Sequence, residues 1–198
     1  MHPTTRAGLF ALACFSCTAT LAQTATLKPP QAFSTIADPA ERSRALFAEL
    51  GKVIESPRCQ NCHPASERPS QGDDMHPHLP LVVRGSDDHG AIGLRCTTCH
   101  QAANYEPAGV PGNPQWHVAP IGMAWQGKSL AQICEQIKDP ARNGGRTLAQ
   151  VHDHMAKDDL VGWAWHPGGT RAPAPGTQAQ LGELVAAWIA TGAACPAQ

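Results

Sequence analysis

The pentapeptide Cys-x-x-Cys-His occurs twice in this chain of 198 residues, at Cys59 to His63 and at Cys96 to His100. No other feature restricts the fold as strongly, because this is the pattern by which a c-type haem is fastened to a polypeptide. Two thiols three positions apart can each form a thioether to a haem vinyl group, and the histidine beside the second thiol is then held under the iron as its proximal ligand. Cys59, Cys62, Cys96 and Cys99 are therefore expected to attach two haem c groups, with His63 and His100 on the two irons. The competing reading is a Cys-x-x-Cys redox pair, or a zinc ribbon built from the four cysteines. A ribbon separates its cysteine pairs by about 15 to 20 residues, whereas 33 residues lie between Cys62 and Cys96 and each pair carries an adjoining histidine.

Attachment of this kind takes place outside the bacterial cytoplasm, and residues 1–22 read as a secretory signal peptide. Arg6 supplies the positive region, Ala7 to Leu21 the apolar stretch, and Thr20-Leu21-Ala22 a small-residue cleavage site. No second apolar run approaches the length of about 20 residues that crosses a bilayer. A periplasmic protein with no membrane span after cleavage is expected. Lipid modification of Cys14 and retention of the segment as an uncleaved anchor are the alternatives.

Cys14 and Cys17 leave with that segment, so of the eight cysteines only Cys134 and Cys195 have no place in the pentapeptides. In an oxidising compartment they are expected to form a disulfide. The bridge would close a loop of about 60 residues and stabilise the fold by roughly 4 kcal/mol in the chain-entropy model. The alternative is a pair of buried free thiols.

The mature length of about 175 residues suits one domain or two small lobes. Aromatics make up 5% of the sequence against 18 Gly and 18 Pro, a composition that gives a loop-rich chain with a modest apolar core. Two macrocycles would complete that core, and the haem-free chain is expected to be largely unfolded. The formal net charge is −1, which offers nothing to nucleic acid or to anionic lipid.

Residues 23–37 contain Lys28-Pro29-Pro30 and read as an exposed leader ahead of a dihaem domain over 38–198. Asp38-Pro39-Ala40-Glu41 starts a helix, with Asp38 as N-cap, Pro39 at the first helical position and Glu41 completing a capping box. Leu46, Phe47, Leu50, Val53 and Ile54 then recur at helical spacing. Three later helices open on a hydroxyl cap with glutamine three residues on: Ser129 with Gln132, Thr147 with Gln150, and Thr177 with Gln180. Their expected inward stripes are Leu130, Ile133, Cys134 and Ile137; Leu148, Val151 and Met155; and Leu181, Leu184, Val185, Trp188 and Ile189, with Gly192 as a C-cap. No alternating strand pattern is present. The expected fold is mainly α, short helices and long irregular loops wrapped around two covalently attached haems.

The sixth iron ligands are over-supplied. Outside the pentapeptides the candidates are His76, His78, His89, His117, His152, His154 and His166, with Met75, Met123 and Met155. A weak internal repeat narrows them: His78 follows His63 by 15 residues and His117 follows His100 by 17, in the settings His78-Leu79-Pro80 and His117-Val118-Ala119-Pro120. Bis-histidine coordination by His78 and His117 is the favoured reading, with Met123 and His154 as alternatives. A sulfur ligand would raise the potential of its haem. For His76, His89 and His166 an exposed position or a hydrogen bond to a propionate is expected. Arg58, Arg95, Arg142 and Arg146 could meet propionates or a partner, against the ordinary fate of solvated arginines.

Several segments carry a family resemblance: Ser56-Pro57-Arg58-Cys59-Gln60-Asn61-Cys62-His63-Pro64, Trp116-His117-Val118-Ala119-Pro120, Met123-Ala124-Trp125, Asp139-Pro140-Ala141-Arg142-Asn143-Gly144-Gly145-Arg146 and Leu160-Val161-Gly162-Trp163-Ala164-Trp165. Over roughly residues 41–196 the chain resembles bacterial dihaem c-type cytochromes that bear the name isoquinoline 1-oxidoreductase subunit. The resemblance implies association with a molybdenum-dependent hydroxylase. Such an enzyme takes electrons from an N-heterocycle or aldehyde, uses water as the oxygen source and needs an electron acceptor. It does not imply that this chain is the hydroxylase. A Cys-x4-Cys-x2-Cys iron-sulfur pattern is absent, and the length is too short for a molybdopterin-binding subunit.

Electron transfer with redox protein partners is thus the first functional expectation, the irons staying six-coordinate while they change valence. The second is a peroxidase-like dihaem enzyme, or a haem-based small-molecule sensor, with one open iron position and an acid/base group nearby.

Overall fold

The computed structural model describes residues 26–197. The signal-peptide reading of residues 1–22, with Cys14 and Cys17, lies outside them. The described chain is built from helices and irregular segments with two very short β-ribbons and no closed sheet.

Helix α1 (Pro39–Ile54) takes its expected N-cap, the Asp38 carboxylate accepting from the Glu41 N–H at 2.7 Å with Pro39 in the first turn, but Glu41 does not return the bond that would complete the capping box. The five apolar positions at helical spacing, Leu46, Phe47, Leu50, Val53 and Ile54, are all buried. A single turn, α2 (Pro57–Gln60), follows and carries the first pentapeptide. The long Pro/Gly-rich stretch beyond it contains the ribbons β1 (Ser70–Gln71) with β2 (His76–Pro77), and β3 (Gly90–Ala91) with β4 (Leu94–Arg95), both antiparallel. They are too short for an alternating pattern to show in the sequence, which is why no strand was expected there.

Helices α3 (Leu130–Lys138) and α4 (Leu148–Lys157) open with complete capping boxes at Ser129/Gln132 and Thr147/Gln150. The next turn is α5 (Asp159–Gly162). The last helix, α6 (Gln178–Ala190), is capped by the Thr177 side chain on the Gln180 N–H. It ends in a Schellman motif: Ala193 N–H bonds Trp188 O, Gly192 N–H bonds Ile189 O, and Gly192 takes the left-handed φ of 99°.

Helix α6 packs against both α1 and α4. Leu181, Leu184, Val185 and Trp188 are buried on it, while Ile189 is only half-buried. Phe47 and Trp188 meet with ring centroids 5.0 Å apart. The Ser43 hydroxyl joins α1 to the far end of α6, donating to Trp188 O and accepting from Ala194 N–H. Close approach of α4 and α6 depends on Gly182, where an added Cβ would lie 2.7 Å from Ala156 Cβ. Cys134 on α3 forms a disulfide with Cys195, Cα to Cα 5.6 Å, and ties the C-terminal segment to the core.

The leader expectation needs correction over residues 26–37. Leu27 and Phe33 are buried in the core, Lys28 N–H bonds Glu49 at 2.8 Å, and Arg42 holds Ile36 O. The Pro-Pro sequence suggested solvated chain; the two apolar residues flanking it outweigh that by burying their side chains.

Candidate functional site

Each pentapeptide closes one helical turn. In the first, His63 N–H bonds Cys59 O at 3.1 Å; in the second, His100 N–H bonds Cys96 O at 3.0 Å. This places the paired cysteines, three positions apart, on one side of the turn. The two imidazoles are then anchored alike. His63 Nδ1 lies 2.7 Å from Met123 O and its ring stacks on Trp125 at 3.5 Å. His100 Nδ1 lies 2.8 Å from Pro111 O and its ring stacks on Trp116 at 4.5 Å. A carbonyl can only accept, so Nδ1 carries the proton in both rings and Nε2 keeps its lone pair.

Two cavities adjoin these turns. The first, of about 1060 Å³, is bounded by the end of α1 at Val53 and Ile54, by α4 at Val151 and Met155, and by the turn holding Cys59, Cys62 and His63. The second, of about 920 Å³, is bounded by Cys96, His100, Trp116 and His78. Arg58, Cys62, His117 and Trp163 line both, so the cavities are neighbours with Trp163 in the wall between them. Trp163 also meets Trp116 edge-on, centroids 4.9 Å apart. Cys99 is exposed and borders neither cavity.

Burial pushes the Cys59 thiol up to about 12 and Cys62 up to about 11, and it raises Cys96 as well. A redox dithiol works through a thiol of lowered pKa, which neither Cys59 nor Cys62 has. Among the described residues no set of three or more His, Cys, Asp or Glu converges on a metal-ion position, as a ribbon would require. The first cavity, walled by Cys59, Cys62, the anchored His63 and apolar side chains, offers what a thioether-linked haem would need: two cysteines for its vinyl groups and one imidazole for its iron. Two buried donors beside the first cavity, Arg58 Nε and Trp125 Nε1, have no acceptor in the protein.

The sixth-ligand candidates separate by position. His78 faces His100, ring centroids 6.0 Å apart at 68°, with Nδ1 3.1 Å from Pro80 O and Nε2 free. Two imidazoles sharing one metal, each bonded at about 2 Å, place their centroids roughly 6 Å apart. His117 lines both cavities, with Nδ1 against Gln115 O and its ring stacked on His89 at 4.7 Å. His154, on α4, lines the first cavity alone and has Nδ1 3.2 Å from Asp158. Met123 also borders the first cavity, yet its carbonyl sits behind His63. His76, His89, His152 and His166 border neither cavity.

Of the four arginines singled out in the sequence, Arg58 borders both cavities and Arg146 the first, while Arg95 is paired with Asp87 at 2.6 Å. Sequence reasoning missed Arg84. It is 3% exposed and bonds Pro64 O, Ser66 O, Ala119 O and Asp88, clamping together the segments that flank the two pentapeptides. It missed the stacking tryptophans too; nothing in their spacing marks them. Comparison with protein-family models, with curated proteins and with solved structures found no match to this chain.

Proposed function

We propose that this chain is an exported, periplasmic electron-transfer protein carrying two covalently attached haem c groups. The observation that carries the reading is the duplicated site: two adjoining cavities, one lined by Cys59 and Cys62 and the other by Cys96, each bordered by a histidine whose Nδ1 is committed to a main-chain carbonyl. Cys59 and Cys62 would hold one group and Cys96 and Cys99 the other, with His63 and His100 as proximal ligands. When bound, haem iron supplies reversible one-electron chemistry between its ferric and ferrous states.

The protein's own residues serve that task by staying still. The carbonyls of Met123 and Pro111 fix the imidazole tautomers, and Trp125 and Trp116 fix the ring planes, so little has to move when the charge changes. The Arg58 guanidinium, paired with Asp73 at 2.5 Å, borders both cavities and would lend them positive charge. Trp163 in the shared wall supports passage of electrons between the sites. His78 facing His100 at a separation suited to one shared metal supports a closed second site, which counts against a peroxidase-like enzyme or a gas sensor there. The family resemblance extends the proposal to redox protein partners, a molybdenum-dependent hydroxylase among them.

A potentiometric titration followed by optical and EPR spectra tests the reading. Two one-electron waves from low-spin haems are expected; a protein that takes up no electrons across the titration contradicts it.

A further inference from the structure

The first cavity holds more imidazoles than it needs, and their surroundings tell them apart. Met123 contributes the carbonyl that receives the His63 Nδ1 proton at 2.7 Å, so its backbone stands on the side of that ring opposite Nε2. To reach the far face of a metal bound at Nε2, its side chain would have to pass around the macrocycle. His117 sits at the boundary of both cavities, its ring stacked on His89. His154 differs from both. It projects from α4, a ten-residue helix packed on α6, and borders the first cavity only.

Its second nitrogen is also spoken for. Asp158 Oδ2 lies 3.2 Å from His154 Nδ1, while Asp158 Oδ1 accepts from Leu160 N–H at 2.8 Å and from Val161 N–H at 3.2 Å, capping α5. The carboxylate is thus immobilised by the next helical turn and in turn orients the imidazole, leaving Nε2 for a metal. This is the carboxylate–histidine arrangement that positions metal-ligating imidazoles.

Resting on the haem reading above, we infer that His154 is the sixth ligand of the first haem, opposite His63, and that Asp158 is its positioning residue. His78 and His154 then make both irons bis-histidine, and His117 is left in the wall between the haems as a non-ligand.

The test uses the full chain matured in cells competent for cytochrome c assembly, with haem counted by mass before any spectrum is taken. H154A is expected to keep two haems, turn one of them high-spin, and bind one carbon monoxide per molecule where the wild type binds none. H117A is expected to keep both haems low-spin and closed, and D158N to shift the EPR signal of one haem only. Opening of the first haem by H117A, or an H154A protein with two closed low-spin haems, overturns the assignment while leaving the haem reading intact. Absence of haem from the wild type removes both. Near-infrared magnetic circular dichroism of the wild type needs no variant: bis-imidazole bands from both haems are expected, and a sulfur-to-iron band overturns the assignment in favour of Met123.

Discussion

At the scale of single residues, the chemistry lies in which nitrogen of each imidazole is free. His63 and His100 donate from Nδ1 to carbonyls contributed from 60 and 11 residues away, so Nε2 is the only ligating atom left. Burial pushes His63 down to about 3, which keeps that lone pair unprotonated at all but strongly acid pH. Replacing His78 by Ala removes the imidazole facing His100. The second haem is then expected to become high-spin and to bind carbon monoxide, and a spectrum unchanged from wild type would refute His78 as a ligand. Arg58→Gln withdraws a buried cation from both cavities. Less positive charge favours the ferric state, so both midpoint potentials should fall, by tens of millivolts on the scale of roughly 59 mV per tenfold change in a one-electron equilibrium. A rise in either potential would contradict the role given to Arg58. The paired cysteines and their adjoining histidines were legible in the sequence because they are contiguous. The groups that orient them were not, since Met123, Trp125, Trp163 and Arg84 reach the sites through folding and carry no spacing of their own.

At the scale of elements, the helices were the legible part. Asp38, Ser129, Thr147 and Thr177 all act as N-caps, because a cap is a local bond between a side chain and a main-chain N–H three residues on. The stripe on α1 is equally local in origin. The segment over 26–37 was misread because its fate depends on Glu49 and on the core under α1 and α6, which no local pattern reveals. The disulfide belongs to this scale: it fastens α3 to the chain beyond α6 across a sequence separation of 61. Replacing Cys134 and Cys195 together by Ser should lower the unfolding free energy by about 4 kcal/mol. Chemical denaturation of the oxidised wild type against the double variant measures this, and equal midpoints would show that the bridge contributes no stability.

For the molecule as a whole, the helical core of α1, α4 and α6 forms one wall of the first cavity, and loops form most of the second. A chain rich in Gly and Pro leaves two large apolar-walled spaces that a macrocycle would fill, and burying such surface stabilises at about 25 cal/mol per Å². A variant with all four attaching cysteines changed to Ser should therefore melt at lower temperature and expose more apolar surface than the matured protein. Dye binding and circular dichroism indistinguishable from the matured protein would remove haem from the folding argument. Under the proposed function, the exposure of Cys99 would make the second site the point of electron exchange with a partner.

The most direct measurement is the intact mass of the mature protein made in cells competent for cytochrome c maturation, taken after denaturation so that only covalent adducts count. The account predicts the polypeptide plus two haem groups, with both adducts mapping to peptides that contain Cys59 and Cys62 or Cys96 and Cys99. A mass equal to the polypeptide alone would contradict it.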